Sequence, residues 1–116
     1  MGTTNRRGAG GESLAAAWLE LDGHEVLGRN VKVGGVEVDV LARQGATRVV
    51  VEVKLRGRAD YGGAALAVDR AKRERLMRAA RALEQSGASA VRIDVIAIDT
   101  DPDGLRLRHY RNAVTD

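Results

Sequence analysis

Hydrophobic and polar residues alternate along two neighbouring stretches in the middle of the chain. The alternation covers residues 36–43 and 48–55, and the four residues between them, 44–47, include a glycine and small polar side chains. Strict alternation is typical of a β-strand with one buried face, and a short link of this kind is typical of a hairpin turn. The pattern therefore predicts an antiparallel hairpin in which Arg43 lies opposite Arg48.

The polar face of this hairpin is unusually rich in charge. Successive side chains of a strand point to opposite faces, so Glu37 and Asp39 share one face of the first strand, and Glu52 and Lys54 share one face of the second. The register set by the turn places Asp39 opposite Glu52 and Glu37 opposite Lys54. The other face is predicted to be apolar and consists of Val36, Val38, Val40, Val51, Val53 and Leu55.

Three acids and one lysine on one patch require a physical reason. Carboxylates directly opposite each other on a sheet repel, and one lysine does not neutralise three acids. Mg²⁺ or Mn²⁺ would do so, because these cations bind hard oxygen ligands, keep several waters and bind phosphate oxygens. Lys54 beside such a cation would orient an attacking water or stabilise charge on a phosphate. The alternative is a half-buried hairpin whose polar face meets only water, and the spacing alone leaves both open.

Helical and strand patterns alternate along the rest of the chain. A helix is predicted over residues 10–22, after a loose polar tail over residues 1–9, and a strand over residues 24–30 has Gly28 as a bulge or close-approach point. A long amphipathic helix is predicted over residues 64–86, followed by strands over residues 90–98 and 105–110. We expect the strand at 90–98 to pair parallel to the hairpin, because a helix connects them. The predicted architecture is α/β, with a mixed sheet flanked by helices in one domain over residues 10–116.

Three polar side chains are exceptions within these elements. Lys72 falls in the apolar stripe of the long helix, so its ammonium either reaches the helix flank or meets an acid or a phosphate at the sheet. Glu12 lies in the first turn of the first helix, where an acid interacts favourably with the helix dipole. His24 has no second histidine nearby and is predicted to be exposed.

Composition and charge restrict the class of function. The 116 residues include no cysteine, which excludes disulfides and cysteine nucleophiles, and we expect a cytoplasmic protein. No apolar run approaches the roughly 20 residues of a membrane span.

The net charge of +3 comes mainly from arginine, which binds phosphate in a bidentate manner and favours nucleic acid as partner, although a GC-rich genome produces the same bias. With 3% aromatic residues, the chain has no base-stacking platform for single strands. Residues 56–63 are predicted as a basic loop that embraces a phosphodiester backbone or simply meets solvent.

The hairpin resembles the Asp…Glu-x-Lys core of the PD-(D/E)xK nuclease superfamily, here without the proline before the aspartate. Over roughly residues 8–114 the chain is similar to the YraN family of small bacterial proteins. Val36 between Gly35 and Glu37, and Leu55 in place of the usual threonine, depart from the family pattern. The family motifs recur as Gly11-Glu12, Gly28-Arg29-Asn30, Glu37-Val38-Asp39, Glu52-Val53-Lys54 with Arg56, Lys72 with Arg75-Leu76, Arg92-Ile93-Asp94-Val95, and His109-Tyr110-Arg111-Asn112-Ala113.

The resemblance implies a restriction-endonuclease-like αβββαβ core with one extra C-terminal strand, related to archaeal Holliday-junction resolvases. It implies a metal-dependent endonuclease acting on structured DNA such as a junction, flap or nick, and a two-fold dimer if the substrate is a junction. Two alternatives stay open: a non-catalytic nucleic-acid-binding module with the same fold, and a structural protein whose acid patch is inert.

The resemblance also implies roles for individual residues. Asp39 and Glu52 would bind Mg²⁺ or Mn²⁺ together with the Val53 carbonyl, and Lys54 would be the catalytic lysine. A glutamate of the first helix points at the metal site in related junction-resolving nucleases, and Glu12 occupies this position. Glu12, and Glu37 of the hairpin, are expected as auxiliary ligands or as residues that orient the site. The predicted nucleic-acid-binding residues are Arg29, Arg56, Arg58 and Lys72.

Overall fold

The structure is a computed structural model that describes the backbone of residues 3–57 and 69–115, with side chains from residue 10 onward within these ranges. Most of the predicted basic loop, with Arg58, lies outside the described residues. The described elements, in chain order, are α1 (Thr3–Leu21), β1 (Glu25–Val33), β2 (Val36–Gln44), β3 (Thr47–Arg56), α2 (Arg70–Gln85), β4 (Ala90–Asp101) and β5 (Gly104–Tyr110).

The five strands form one mixed sheet in the order β1-β2-β3-β4-β5. The pairs β1–β2, β2–β3 and β4–β5 are antiparallel, whereas β3 and β4 are parallel from Thr47↔Ala90 to Arg56↔Asp99. The predicted fold class and the parallel pairing are confirmed. The α1-β1-β2-β3-α2-β4 order is that of the αβββαβ core, and β5 is the extra strand.

Several element boundaries differ from the prediction. Helix α1 begins at Thr3 instead of residue 10, so the predicted tail is largely helical backbone. Helix α2 begins at Arg70, where the Asp69 side chain caps it by accepting the Lys72 backbone N–H at 2.8 Å. The predicted helical residues 64–68 lie outside the described residues. Strand β1 continues to Val33, beyond the predicted end at residue 30. The register of β1 against β2 shifts between Val26 and Gly28, which confirms the bulge.

Two hydrophobic cores lie on opposite faces of the sheet. The core on the α1 side consists of Ala15, Leu19, Val40, Ala42, Val49, Val51, Ile96 and Ile98. The core on the α2 side consists of Val36, Val38, Val50, Leu76, Ala79, Ala80, Ile93 and Val114. Strand β3 contributes Val49, Val50 and Val51, all fully buried, and each such valine contributes about 1.5–3 kcal/mol by its burial. Substitution within this strand therefore affects both cores.

Strand β2 changes faces at Asp39, contrary to the prediction. Val36 and Val38 belong to the α2-side core, whereas Val40 belongs to the α1-side core. Regular alternation would keep all three on one face. The last residue pair between β2 and β3 is Val40↔Val51, so the reversal coincides with the point where the two strands separate.

Neither described helix is both long and apolar enough to cross a membrane.

Candidate functional site

The candidate site begins where the central hairpin opens. In the register that ends at Val40↔Val51, Val38 would come opposite Val53. Instead, the Val53 backbone N–H donates to Asp39 Oδ2 at 2.8 Å, so a side chain accepts the hydrogen bond that a strand carbonyl would otherwise accept. The separation of the strands thus fixes the Asp39 carboxyl beside β3.

A second carboxyl lies next to the first. Burial of Asp39 and the negative charge of Glu52 raise the pKa of Asp39 from 3.8 to about 7, and the Val53 N–H bond opposes this shift only in part. The Glu52 side chain is 13% exposed, and its Oε2 lies 2.6 Å from Lys72 Nζ of α2. The two acids therefore interact unfavourably with each other, and Lys72 compensates the charge of Glu52.

Asp39, Glu52 and Lys72 line a cleft between β2, β3 and α2, which we call the α2 cleft. Its volume is about 270 Å³. Its three cations come from successive turns of one helix, and its three acids come from the two strands. The lining residues are Gly35, Val36, Glu37, Asp39, Glu52, Lys72, Arg75, Leu76 and Arg78.

The other predicted residues of the metal site differ in how they lie around the Asp39–Glu52 pair; they are Lys54, Glu12 and Glu37. Lys54 follows Glu52 by two residues on β3, on the same face of the sheet, but it is not among the residues that line the α2 cleft. The Glu12 carboxylate accepts a hydrogen bond from Asn30 Nδ2 at 2.6 Å, and its charge also raises the pKa of Asp39. Glu37 is exposed at the cleft.

Glu37 does not lie opposite Lys54, contrary to the prediction. The β2–β3 ladder has already ended at that point, and Glu37 pairs with Lys32 of β1 instead. The predicted pairing assumed that the hairpin stays closed along its whole length.

A divalent cation fits the residues that are present. Asp39 and Glu52 offer adjacent hard oxygen ligands whose mutual repulsion a cation relieves, and Mg²⁺ characteristically binds one or two carboxylates together with waters and phosphate oxygens. Within residues 3–57 and 69–115, no three histidine, aspartate or glutamate side chains form a metal-binding cluster. Among the described residues, this pair, with the predicted Val53 carbonyl beside it, would be the ligands of such a cation.

The described members of the predicted phosphate-binding set, Arg29, Arg56 and Lys72, lie in different surroundings. Arg56 is only 4% exposed and donates two hydrogen bonds to Asp99, from Nε at 2.6 Å and from NH2 at 2.9 Å. Its guanidinium is thus engaged inside the protein by Asp99. Arg29 is exposed and donates to Ser13 Oγ of α1 at 2.6 Å. Lys72 lies on the α2 cleft, and Arg58 is outside the described residues.

Arg75 and Arg78 line the α2 cleft but were not predicted to bind a ligand. Both are exposed and follow Lys72 at intervals of three residues, which puts all three on one flank of α2. That spacing could have been read from the sequence, because the predicted helix already included the three residues.

A second polar cluster lies on the α1 side of the sheet. Asp94 is fully buried and accepts hydrogen bonds from His109 Nε2 at 2.7 Å, Arg92 Nε at 3.0 Å and the Asn112 backbone N–H at 2.9 Å. Trp18 Nε1 donates to His109 Nδ1 at 3.0 Å. Burial alone would raise the pKa of Asp94, but these donors outweigh it and lower that pKa. The two C-terminal family motifs thus form a structural network that joins α1, β4 and β5.

His24 belongs to this cluster and is 5% exposed, so the prediction of a surface residue is wrong. Its Nε2 lies 2.9 Å from Arg92 NH2. Burial and the Arg92 charge lower its pKa. The sequence shows a lone histidine at a strand edge and gives no indication of this distant arginine.

The fold and the site together define the class of protein. In the part of the chain that the structure describes, a five-stranded mixed sheet is flanked by two helices, with Asp39 and Glu52-Val53-Lys54 on its central hairpin, which is consistent with a restriction-endonuclease-like core. The family model described as "Uncharacterised protein family UPF0102" matches residues 11–98. The chain belongs to this family, which is the YraN family indicated by the sequence motifs.

Individual relatives agree with this assignment. The chain is 46% identical over 110 residues to a UPF0102 protein of Geobacter sulfurreducens, covering 91% of this chain and 86% of the relative. It is 45% identical over 108 residues to one of Beutenbergia cavernae, covering 90% and 92%. It is 39% identical over 114 residues to one of Symbiobacterium thermophilum, covering 95% and 97%. The similarity therefore extends over nearly the whole chain.

Proposed function

We propose that the protein is a metal-dependent phosphodiesterase that cleaves the backbone of structured DNA such as a junction, flap or nicked duplex. One observation supports this most directly. Asp39 and Glu52 place two mutually repelling carboxyls beside a cleft whose other wall is a helix flank with Lys72, Arg75 and Arg78. A divalent cation would satisfy the acids, and phosphate oxygens would satisfy the bases.

The residues of the site have distinct roles in this proposal. Asp39 and Glu52 hold Mg²⁺ or Mn²⁺ together with the Val53 carbonyl, and the Val53 N–H keeps the Asp39 carboxyl oriented. The bound cation supplies Lewis-acid polarisation of the phosphate. Lys54 orients the attacking water or stabilises the negative charge that develops on the phosphate oxygens. Glu12, bonded to Asn30, adds negative charge near Asp39.

The test combines cleavage with metal binding. Junction, flap, nicked and linear DNA are incubated with the protein and Mg²⁺ or Mn²⁺, and Mn²⁺ binding is followed by calorimetry for the wild type and Glu52→Gln. We expect metal-dependent cleavage by the wild type, a much weaker Mn²⁺ isotherm for Glu52→Gln, and near-normal Mn²⁺ binding without cleavage for Lys54→Ala. Identical isotherms for the wild type and Glu52→Gln, with no cleavage of any substrate, would contradict the proposal.

One observation favours a second candidate, a nucleic-acid-binding module without catalysis. The Lys72 ammonium already pairs with Glu52 at 2.6 Å, so part of the acid charge is compensated by the protein itself. In that case duplex DNA affinity falls steeply with salt, because phosphate contacts release counterions, but it does not depend on Mn²⁺. Metal-independent binding without cleavage would support this second function.

A further inference from the structure

Lys72 and a divalent cation require the same carboxylate. Lys72 Nζ lies 2.6 Å from Glu52 Oε2, and the Glu52 side chain is only 13% exposed. A cation bound to Glu52 next to Asp39 would lie close to the Lys72 ammonium, and two like charges at that spacing repel. Occupation of Glu52 by one cation therefore disfavours occupation by the other.

Lys72 also lies beside two further cations, Arg75 and Arg78, and its ammonium can bind a ligand together with them. Its side chain is 34% exposed and borders the α2 cleft together with Arg75 and Arg78. At 1.5 Å per residue, Arg75 and Arg78 are displaced from Lys72 by about 4.5 Å and about 9 Å along the helix axis. A row of cations along one helix flank suits the phosphates of one strand, because Lys and Arg bind phosphate oxygens through charge-assisted hydrogen bonds.

We propose that Lys72 exchanges partners when the site is loaded: a divalent cation displaces its ammonium from Glu52, and the ammonium then binds a phosphate of the nucleic acid beside Arg75 and Arg78. This rests on the proposed function and adds coupling between its two ligands. Metal binding increases nucleic-acid affinity, and part of that increase passes through Lys72. By linkage, nucleic acid increases metal affinity to the same extent.

Three variants separate this exchange from a structural role. Lys72→Met removes the ammonium but suits the apolar stripe of α2, and Lys72→Arg restores a positive charge. Arg70→Met is the matched control, because Arg70 lies on the same helix, 93% exposed, on the side opposite Lys72. The control loses one positive charge of the same helix but no contact with Glu52.

The first measurement is calorimetric titration with Mn²⁺ without nucleic acid. We expect Lys72→Met to bind Mn²⁺ about fivefold more tightly than the wild type, the factor that corresponds to an ion pair of ~1 kcal/mol. Lys72→Arg and Arg70→Met should bind Mn²⁺ with an affinity close to that of the wild type. The Mn²⁺-induced increase in melting temperature should also be larger in Lys72→Met, because its Glu52 is left without the lysine.

The second measurement is duplex DNA affinity as a function of salt, with and without Mn²⁺, in a Lys54→Ala background to prevent cleavage. Mn²⁺ should make the slope of log K against log salt steeper. The Mn²⁺-induced change should be larger by about 0.9 in the protein that keeps Lys72 than in the one with Lys72→Met, because 0.9 is the value for one additional phosphate contact. Arg70→Met should show the same Mn²⁺-induced change as its Lys72 parent.

The outcomes are distinguishable from failure of the proposed function. If the wild type binds Mn²⁺ through Glu52 but Lys72→Met has the same Mn²⁺ affinity and the same Mn²⁺-induced change in slope, the exchange is wrong and the metal site remains. If the wild type and Glu52→Gln bind Mn²⁺ equally, the exchange is wrong, and if in addition no substrate is cleaved, the proposed function is overturned as well. A loss of thermal stability in Lys72→Met with unchanged Mn²⁺ affinity assigns Lys72 a purely structural role.

Discussion

Asp39 and Asp94 are both withdrawn from solvent, yet their pKa values shift in opposite directions. Asp94 has the hydrogen-bond donors of His109, Arg92 and a backbone N–H, and its pKa is lowered. Asp39 has one backbone donor and a neighbouring acid, and its pKa is raised to about 7. An acid supplied with donors stabilises a fold, whereas an acid placed beside another acid costs stability and is typical of a functional site.

The raised pKa of Asp39 predicts how stability depends on pH. Its unfolded value is 3.8 and its folded value about 7, so the favourable contribution of the protonated form is complete below pH 4 and is lost as pH rises towards 7. Asp39→Asn should abolish this loss. After allowance for partial solvent screening, the variant should be about 2 kcal/mol more stable than the wild type at pH 8 in EDTA, and nearly equal at pH 4.

Urea unfolding at pH 4, 6 and 8 measures the effect. Asp94→Asn is the control, because a lowered pKa contributes stability that is present above the unfolded value and lost as pH falls through the folded value. The pH dependence of stability that Asp94 causes therefore appears below pH 4. Equal stability profiles for the wild type and Asp39→Asn between pH 4 and 8 would show that the Asp39 pKa is not raised.

Strand β2 shows which part of the elements the sequence predicts and which part it does not. The hairpin, its Arg43↔Arg48 pair and the parallel partner strand follow from alternation and element order. The change of face between Val38 and Val40 does not, because the valines continue to alternate in the sequence through the point where the strands separate. That separation depends on Val53 and on packing against α2, which are distant in sequence.

The site shows the same division. The acids at Asp39 and Glu52 and the exceptional position of Lys72 follow from local periodicity, and Lys72 indeed meets an acid of the sheet. The engagement of Arg56 by Asp99 depends on the β3–β4 register, which brings the two residues together over 43 positions of sequence. Sequence periodicity contains no information about such a partner.

The turn between β1 and β2 determines how closely the β1–β2 hairpin approaches α2. Gly34 has φ +60°, and a Cβ added there would lie 2.7 Å from Ala82 Cβ and 3.4 Å from the Arg78 carbonyl oxygen. Gly35 has φ +78°, and a Cβ added there would meet open space. Of these two glycines, only Gly34 would combine left-handed backbone strain with a close contact when it is replaced by a larger residue.

We expect Gly34→Ala to lower the free energy of unfolding by about 3 kcal/mol, from left-handed strain and overpacking together. Gly35→Ala, which has only the strain, should cost about 1–2 kcal/mol. Ala82→Gly should relieve part of the loss when combined with Gly34→Ala, although alone it costs about 1 kcal/mol in a helix. A double-mutant cycle by urea unfolding measures this coupling. A strictly additive double variant would show that the turn does not press on α2.

At the scale of the whole molecule, the sheet separates two kinds of polar chemistry. The α1 side carries a buried network around Asp94 in which each carboxylate oxygen has a donor. The α2 side carries the α2 cleft, in which acids and bases are only partly matched. The first arrangement stabilises one structure, and the second leaves charge available to a ligand.

Each chain offers one Asp39–Glu52 pair among its described residues, whereas concerted cleavage of a symmetric junction requires two equivalent sites. A two-fold dimer is therefore expected if the substrate is a junction. Light scattering with and without junction DNA measures the mass. We expect two chains per junction complex. The mass of a single chain under both conditions would exclude concerted resolution and leave nicking of one strand.

The hydrogen bond from the Val53 N–H to the Asp39 carboxyl has a consequence for spectroscopy. A backbone amide normally donates to a carbonyl whose charge never changes, but this amide donates to a group that titrates with a pKa of about 7. The Val53 amide proton resonance should therefore move downfield as the carboxyl ionises, because hydrogen bonds to a charged acceptor are stronger. In a nitrogen-15 labelled sample, this single cross-peak reports the charge at the centre of the site without substrate or assay.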